Sequence, residues 1–174
     1  GHGFIREWGQ EQLVRDARIA QIYEGTNGIQ ALDLLGRKVA GSRGDLLKPL
    51  LADIQALLAT PLEGFEKEYQ QLADATQLVA EVTKAVLERV ADDENIINSV
   101  AVEYLHLVGY VAFAYMWLRM AKAAAPLVDE RPYLASKAKT AKFYMARILP
   151  RIHSLAAVIK DGSSSLYLHE VGEF

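Results

Sequence analysis

The residue best placed for acid–base chemistry is Glu24, within residues 15–30, which read RDARIAQIYEGTNGIQ. Gly25 follows it and tolerates backbone angles that residues with a Cβ avoid. Thr26 is a suitable N-cap for a helix, since Ile29, Leu32 and Leu35 follow at helical spacing. The sequence therefore predicts a carboxylate on a turn at the start of a helix. Both a working acid or base and a solvated glutamate fit this pattern, and the pattern alone favours the solvated glutamate.

A second candidate for chemistry is the pair Glu103 and His106. A glutamate and a histidine three residues apart on a helix share one face and form half of a di-iron carboxylate site. A complete site needs a second such pair. The chain has 4 histidines, and none of the other three has a glutamate three residues before it. A polar pair with no metal is therefore the favoured interpretation, and we predict no metal site.

Composition excludes several classes of function. The 174 residues are 51% hydrophobic, so a core can form, and 22 acidic against 19 basic residues give a net charge of −3. No basic excess is available to hold nucleic acid. The absence of cysteine excludes disulfides, thiolate zinc sites and a cysteine nucleophile. A reducing compartment is compatible with this composition, and residues 1–9 show no secretory leader, so we expect a cytoplasmic protein.

Apolar residues recur at helical spacing throughout, which predicts an all-α fold. The expected helices span residues 10–17, 27–40, 46–58, 62–91, 95–124 and 132–160. Pro150 should kink the last of these. The most apolar run, LVGYVAFAYMWL between His106 and Arg119, is shorter than the roughly 20 residues of a membrane span, so we expect a buried helix and no membrane span.

The clearest boundary is at residues 41–44, which read GSRG and have linker composition. We therefore predict that residues 1–40 end one domain, that 41–44 are a linker, and that 45–174 form a separate helical domain. Short loops between long helices favour antiparallel neighbours, so the second domain is predicted to be a four-helix up-down bundle.

The literal string of residues 15–30 closely resembles the C-terminal signature of flavin-dependent acyl-CoA dehydrogenases. The opening Gly1-His2-Gly3-Phe4 also resembles the end of a glycine-rich turn of that family. The following string TNGIQALDLLGRK is most similar to the long-form bacterial branch. That branch includes 3-methylmercaptopropionyl-CoA dehydrogenase-type enzymes and has an extra C-terminal helical domain. Over residues 1–40 the resemblance holds residue by residue. Over the rest of the chain it is limited to the architecture, an additional helical domain.

This resemblance implies roles for particular residues. Glu24 would be the base that removes the substrate's α-proton, and its backbone N–H would bind the thioester oxygen. Gly25 would allow close approach of substrate, Thr26 would contact FAD, and Gly1 with Gly3 would contact the nucleotide half of FAD across a subunit interface. Where many relatives have glutamine, this chain has Gly28, so we assign no cofactor contact there.

The resemblance also implies an acyl-CoA substrate, FAD as cofactor, an acceptor similar to electron-transfer flavoprotein, and a homodimer or tetramer. The 174 residues would then be a C-terminal fragment that is inactive alone and does not retain FAD. A helical interaction or oligomerisation module without catalysis stays open, because the predicted helix at residues 95–124 is so apolar. The end of the chain supports that alternative with Leu166, Tyr167, Leu168, Val171 and Phe174, which we expect to dock on the bundle or on a partner subunit.

Overall fold

The computed structural model describes residues 1–169 and 171–173 and shows only helices and turns within them. The predicted all-α fold is confirmed. The seven α-helices of the described part are α1 (Gln10–Ala17), α2 (Thr26–Leu32), α3 (Lys48–Leu58), α4 (Glu66–Arg89), α5 (Ile96–Ala124), α6 (Ala135–Arg147) and α7 (Ile152–Asp161). The short 3-10 segments are His2–Phe4, Arg6–Trp8, Arg18–Gln21, Asp45–Leu47, Ala125–Leu127, Pro132–Leu134, Leu149–Arg151, Ser164–Tyr167 and Val171–Glu173.

The helix that follows Glu24 changes its winding part-way along. Residues 26–32 are α-helical, and Asp33–Ala40 continue as a π-helix. Ala31, Leu35 and Val39 recur every four residues and are almost completely buried, at 0%, 0% and 1% exposure. This face packs on α5, so the core begins at residue 31. The division into domains at residues 41–44 stays a prediction.

The long helices α4 and α5 build the centre of the fold. A buried apolar stripe begins at Phe65, just before α4, and continues along the helix through Tyr69, Leu72, Val79, Val82 and Val86. The helix begins at Glu66, later than the predicted residue 62, because the chain after Pro61 first makes a turn at residues 63–64. Helix α5 contacts α2 with its π-helical extension, α4, α6 and α7, whereas α3 packs on α4.

One buried hydrogen bond joins the two central helices. The hydroxyls of Thr83 and Tyr104 lie 2.6 Å apart, and Thr83 Oγ1 also donates to the carbonyl oxygen of Val79 at 2.7 Å. Tyr104 Oη is therefore the donor to Thr83. Burial raises the pKa of Tyr104, which keeps its hydroxyl protonated at neutral pH. A paired polar contact inside an apolar core fixes the register of α4 against α5.

The predicted helix at residues 132–160 is interrupted. Helix α6 ends at Arg147, Leu149–Arg151 form a 3-10 turn, and α7 begins at Ile152. The kink expected at Pro150 is confirmed, but the continuous helix is wrong, because a proline within a helix has no N–H to donate and clashes with the preceding turn. Both halves still pack on α5.

The segment Ile96–Leu127 is long and apolar enough to cross a membrane by length and composition, with a mean hydropathy of 1.4 and 33% of the tested window buried. Core helices of globular proteins meet the same criterion. After α7, Leu166, Tyr167 and Leu168 are exposed, so they do not dock on the bundle. Phe174 and the side chain of Val171 lie outside the described part of the chain.

Candidate functional site

The structure places Glu24 in the turn that precedes α2. Its Oε1 accepts hydrogen bonds from the backbone N–H of Thr26 at 2.9 Å and of Asn27 at 2.7 Å. The Glu24 side chain therefore caps α2, and the prediction that Thr26 is the N-cap is wrong. Thr26 is already the first helical residue, and Gly25 at the N-cap has no side chain that could accept a bond.

Gly25 has no structural reason within the described chain to be glycine. Its φ of −162° lies outside the left-handed region. A Cβ built at this position meets no atom within 4 Å, and the same holds for Gly1 and Gly3. The expectation that the backbone of Gly25 needs glycine is thus not supported by the turn itself. Open space beside Glu24 is what a site needs if a ligand is to approach the backbone closely.

The residues of the site are all exposed. Glu24, Gly25 and Thr26 lie together on one turn, whereas Gly1 precedes and Gly3 lies within the 3-10 turn His2–Phe4, which packs on α1. Thr26 is exposed at the start of α2, where its backbone N–H donates to Glu24. Within the described residues, the Glu24 turn presents a carboxylate and a hydroxyl on an exposed surface, and Gly1, Gly3 and Gly25 are each unhindered.

The charged residues before Glu24 bond within their own helical turns. Arg15 Nε pairs with Glu11 at 2.7 Å, and its pKa is raised by that hydrogen bond. Gln12 donates to Asp16 at 2.9 Å, and Arg18 donates to Gln21 at 2.7 Å. These contacts lie within α1 and the 3-10 turn after it, and none of them involves Glu24.

The segment that contains Glu24 exposes many large apolar side chains. No residue before Ala31 is buried. The large apolar side chains exposed in this segment are Phe4, Ile5, Trp8, Leu13, Val14, Ile19, Ile22, Tyr23, Ile29 and Leu32. Scattered exposed apolar residues are ordinary, but a dense set of this kind marks a surface that another structure covers.

The second candidate for chemistry is the pair Glu103 and His106. Glu103 is half-buried and His106 is exposed on α5. Within the described residues no group of three or more His, Cys, Asp or Glu side chains could hold a metal ion. Sequence reasoning missed two features here: the amide of Asn27 as a partner of Glu24, and the uncharged outer face of α5. The absence of Asp, Glu, Lys and Arg from residues 104–118 was the available signal for the second.

Comparison with known families matches both parts of the chain. Residues 1–39 match the model described as "Acyl-CoA dehydrogenase, C-terminal domain", and residues 50–168 match the model described as "Acetyl-CoA dehydrogenase C-terminal like".

Among curated proteins, the chain is 33% identical to 3-methylmercaptopropionyl-CoA dehydrogenase of Ruegeria pomeroyi, over 95% of the chain and 29% of the relative. It is 28% identical to a butyryl-CoA dehydrogenase of Syntrophomonas wolfei, over 95% of the chain and 28% of the relative. A 32-residue stretch is 53% identical to an acyl-CoA dehydrogenase of Bacillus subtilis, covering 18% of the chain and 8% of that protein. The chain thus spans less than a third of the length of these relatives.

Proposed function

Since the chain belongs to the acyl-CoA dehydrogenase family, we propose that it supplies the proton-abstracting carboxylate of an enzyme that oxidises acyl-CoA thioesters between Cα and Cβ. The observation that carries this proposal is Glu24 on an exposed turn, with open space beside Gly25. The proposal concerns a longer protein with the segments that the relatives have and this chain lacks.

In this proposal Glu24 removes the α-proton of the thioester, and its backbone N–H donates to the thioester oxygen, where negative charge develops. The two capping bonds affect this step. Both bonds end on Oε1 of Glu24, so Oε2 is the oxygen that takes the α-proton while the bonds to Oε1 hold the carboxylate in place.

FAD is the cofactor that we propose, bound with contributions from Gly1, Gly3 and Thr26. When bound, it accepts the hydride that leaves the β-carbon. The exposed Thr26 hydroxyl and the unhindered glycines fit one side of such a site. Because these residues have no opposing wall, we expect the isolated chain to retain no FAD and to be inactive alone.

The remaining assignments are also proposals. We propose that electrons pass to an acceptor similar to electron-transfer flavoprotein, that the protein is a homodimer or tetramer, and that it is cytoplasmic. We further propose that α5 is the core helix of the bundle and does not span a membrane. Its contacts with α2, α4, α6 and α7 support this, as do its fully buried residues Tyr104, Leu107 and Leu118.

The test is the Glu24→Gln variant of the full-length protein, assayed with a panel of acyl-CoA thioesters while flavin absorbance is recorded. Glutamine keeps the shape and the acceptor oxygen but removes the base. We expect the flavin to stay bound and its reduction by substrate to slow by about 10²–10⁴-fold. Glu11→Gln, which only removes a helical ion pair with Arg15, is the matched control. Reduction at the wild-type rate in Glu24→Gln would mean that the base is another residue.

A helical interaction module without catalysis is the second candidate. The exposed apolar face of α5, with Phe113 61% exposed, favours it. The two candidates are compatible if catalysis and association use different parts of the chain.

A further inference from the structure

The outer face of α5 is apolar over about 20 Å, a length given by the rise of 1.5 Å per residue. We call this the α5 stripe, and its members are Val102, Leu105, His106, Gly109, Ala112, Phe113 and Met116. Val102, Phe113 and Met116 are 42%, 61% and 45% exposed, and the other members are exposed or half-buried. The stripe contains no Asp, Glu, Lys or Arg. A charge-free stripe of this length on the solvent-facing side of a helix indicates an interface.

The spacing of the stripe is that of a helix–helix seam. Val102, Leu105, Gly109, Ala112 and Met116 alternate steps of three and four residues, which is the a/d pattern of antiparallel or parallel helix pairs. Gly109 lies at the centre, and a Cβ built there meets no atom within 4 Å. A second helix can therefore approach the backbone of α5 closely at this point.

We propose that the α5 stripe is a two-fold interface with a second copy of this chain, in which the two α5 helices pack antiparallel around Gly109. The stripe maps onto itself under this operation. Residue 102 faces 116, 105 faces 113, 106 faces 112, and 109 faces itself. A two-fold interface needs this self-complementarity, because the same surface serves on both subunits.

The shapes also match. Phe113 protrudes, whereas Leu105, His106, Gly109 and Tyr110 line an apolar groove of about 320 Å³ that Phe113 borders. The proposed register places Phe113 of each copy on Leu105 in the groove of the other. Buried aromatic side chains that fill a pocket provide most of the energy of such interfaces.

The groove is held in place by the neighbouring helix. Tyr144 of α6 donates a hydrogen bond to the carbonyl oxygen of Tyr110 at 3.1 Å. Burial raises the pKa of Tyr144 to about 12, so the hydroxyl stays a donor at neutral pH. A wall that is already ordered loses little conformational freedom when a partner binds.

Charge favours the antiparallel direction. Glu94 lies just before the start of α5, and Arg119 lies near its end; neither makes an ion pair within the described residues. They lie at opposite ends of α5, so the two-fold operation brings Glu94 of one copy within about two helical turns of Arg119 of the other along the helix axis. A parallel pair would instead place like charges together. This proposal does not depend on the proposed catalytic function.

The test starts with sedimentation velocity of the 174-residue chain over a wide concentration range. One helix pair buries less surface than the roughly 800 Å² per partner of a standard interface, so we expect a weak, concentration-dependent dimer. Phe113→Glu should make the chain monomeric without loss of helicity, because it places an unpaired carboxylate in the seam. Ile22→Glu, at an equally exposed apolar site outside the bundle, is the control and should leave the dimer intact.

The register can be read by oxidative cross-linking, since the chain has no cysteine. Gly109→Cys should form a disulfide dimer. Val102→Cys and Met116→Cys should each fail to cross-link alone and should cross-link when mixed.

Three results would overturn the proposal. The first is a monomer at every concentration, and the second is a dimer lost in Ile22→Glu but kept in Phe113→Glu. The third is self-cross-linking of Val102→Cys, which would indicate a parallel pair. Co-sedimentation with phosphatidylglycerol vesicles that Phe113→Glu abolishes would assign the stripe to a lipid surface instead.

Discussion

Residues 1–30 and residues 31–161 differ in how many of their side chains are buried within the chain. The first segment has no buried residue, although it contains the acid–base candidate Glu24 and a run of large apolar side chains. The second segment closes one continuous core in which residues such as Leu35, Leu72 and Leu107 are 0% exposed. The part with a recognisable chemical motif therefore buries nothing within this chain, whereas the bundle closes its own core.

The largest expected difference comes from matched truncations in the two regions. Leu107→Ala leaves a cavity at the centre of the bundle and should lower the free energy of unfolding by about 2–5 kcal/mol. Ile22→Ala removes a side chain that is 64% exposed and should change it by less than about 0.5 kcal/mol. Urea titrations followed by circular dichroism at 222 nm measure both. An equal loss in Ile22→Ala would show that residues 1–30 fold onto the bundle.

Two glycines sharpen the same contrast. Gly162 after α7 has a φ of +90°, and a Cβ there would lie 2.7 Å from Arg89 Nη1. Gly162→Ala should therefore cost about 1–3 kcal/mol. Gly25→Ala should leave the stability of the chain unchanged, since its φ of −162° and open surroundings accept a methyl group. Thermal unfolding of both variants decides this, and a large loss in Gly25→Ala would contradict the open turn.

A third comparison sets a buried hydrogen bond against an exposed cap. Thr83→Val leaves the Tyr104 hydroxyl without its acceptor in the core and should cost about 1–2 kcal/mol. Glu24→Ala removes the cap of α2 and should affect only local order, by about 0.5–1 kcal/mol. Amide hydrogen exchange resolves the two: protection should fall across α4 and α5 in the first variant and only near Asn27 in the second.

The smallest effect lies where the two regions join. Hydrogen bonds from Arg37 and Lys38 lower the pKa of Asp33 from 3.8 to about 2. Ionised Asp33 therefore stabilises the fold above about pH 4, and this contribution is lost as the pH falls towards 2. As the pH falls from about 4 to 2, the urea concentration at the midpoint of unfolding should decrease less steeply for Asp33→Asn than for the wild type. Parallel pH profiles would indicate that these exposed pairs contribute nothing, as many surface ion pairs do.

Much of the fold was predictable from spacing alone. The stripe on α4, the helix at Gln10–Ala17 and the kink at Pro150 follow from periodicity and from the missing N–H of proline. The winding of Asp33–Ala40 as a π-helix was not predictable, because it depends on the fit of Leu35 and Val39 against α5. The candidate site could be recognised from the residues of the segment 15–30, but its geometry could not. The pattern favoured a solvated Glu24 side chain, whereas in the structure that side chain caps α2.

The sequence by itself determined that α5 is a long, apolar helix at the centre of the chain. It did not determine which side of that helix faces outward. Tyr104 and Phe113 are both aromatic residues of α5, yet the first is 0% and the second 61% exposed. A helix that is apolar all round has no preferred inward face. Only the packing of α2, α4, α6 and α7 around α5 decided which apolar residues form the core and which remain for a partner.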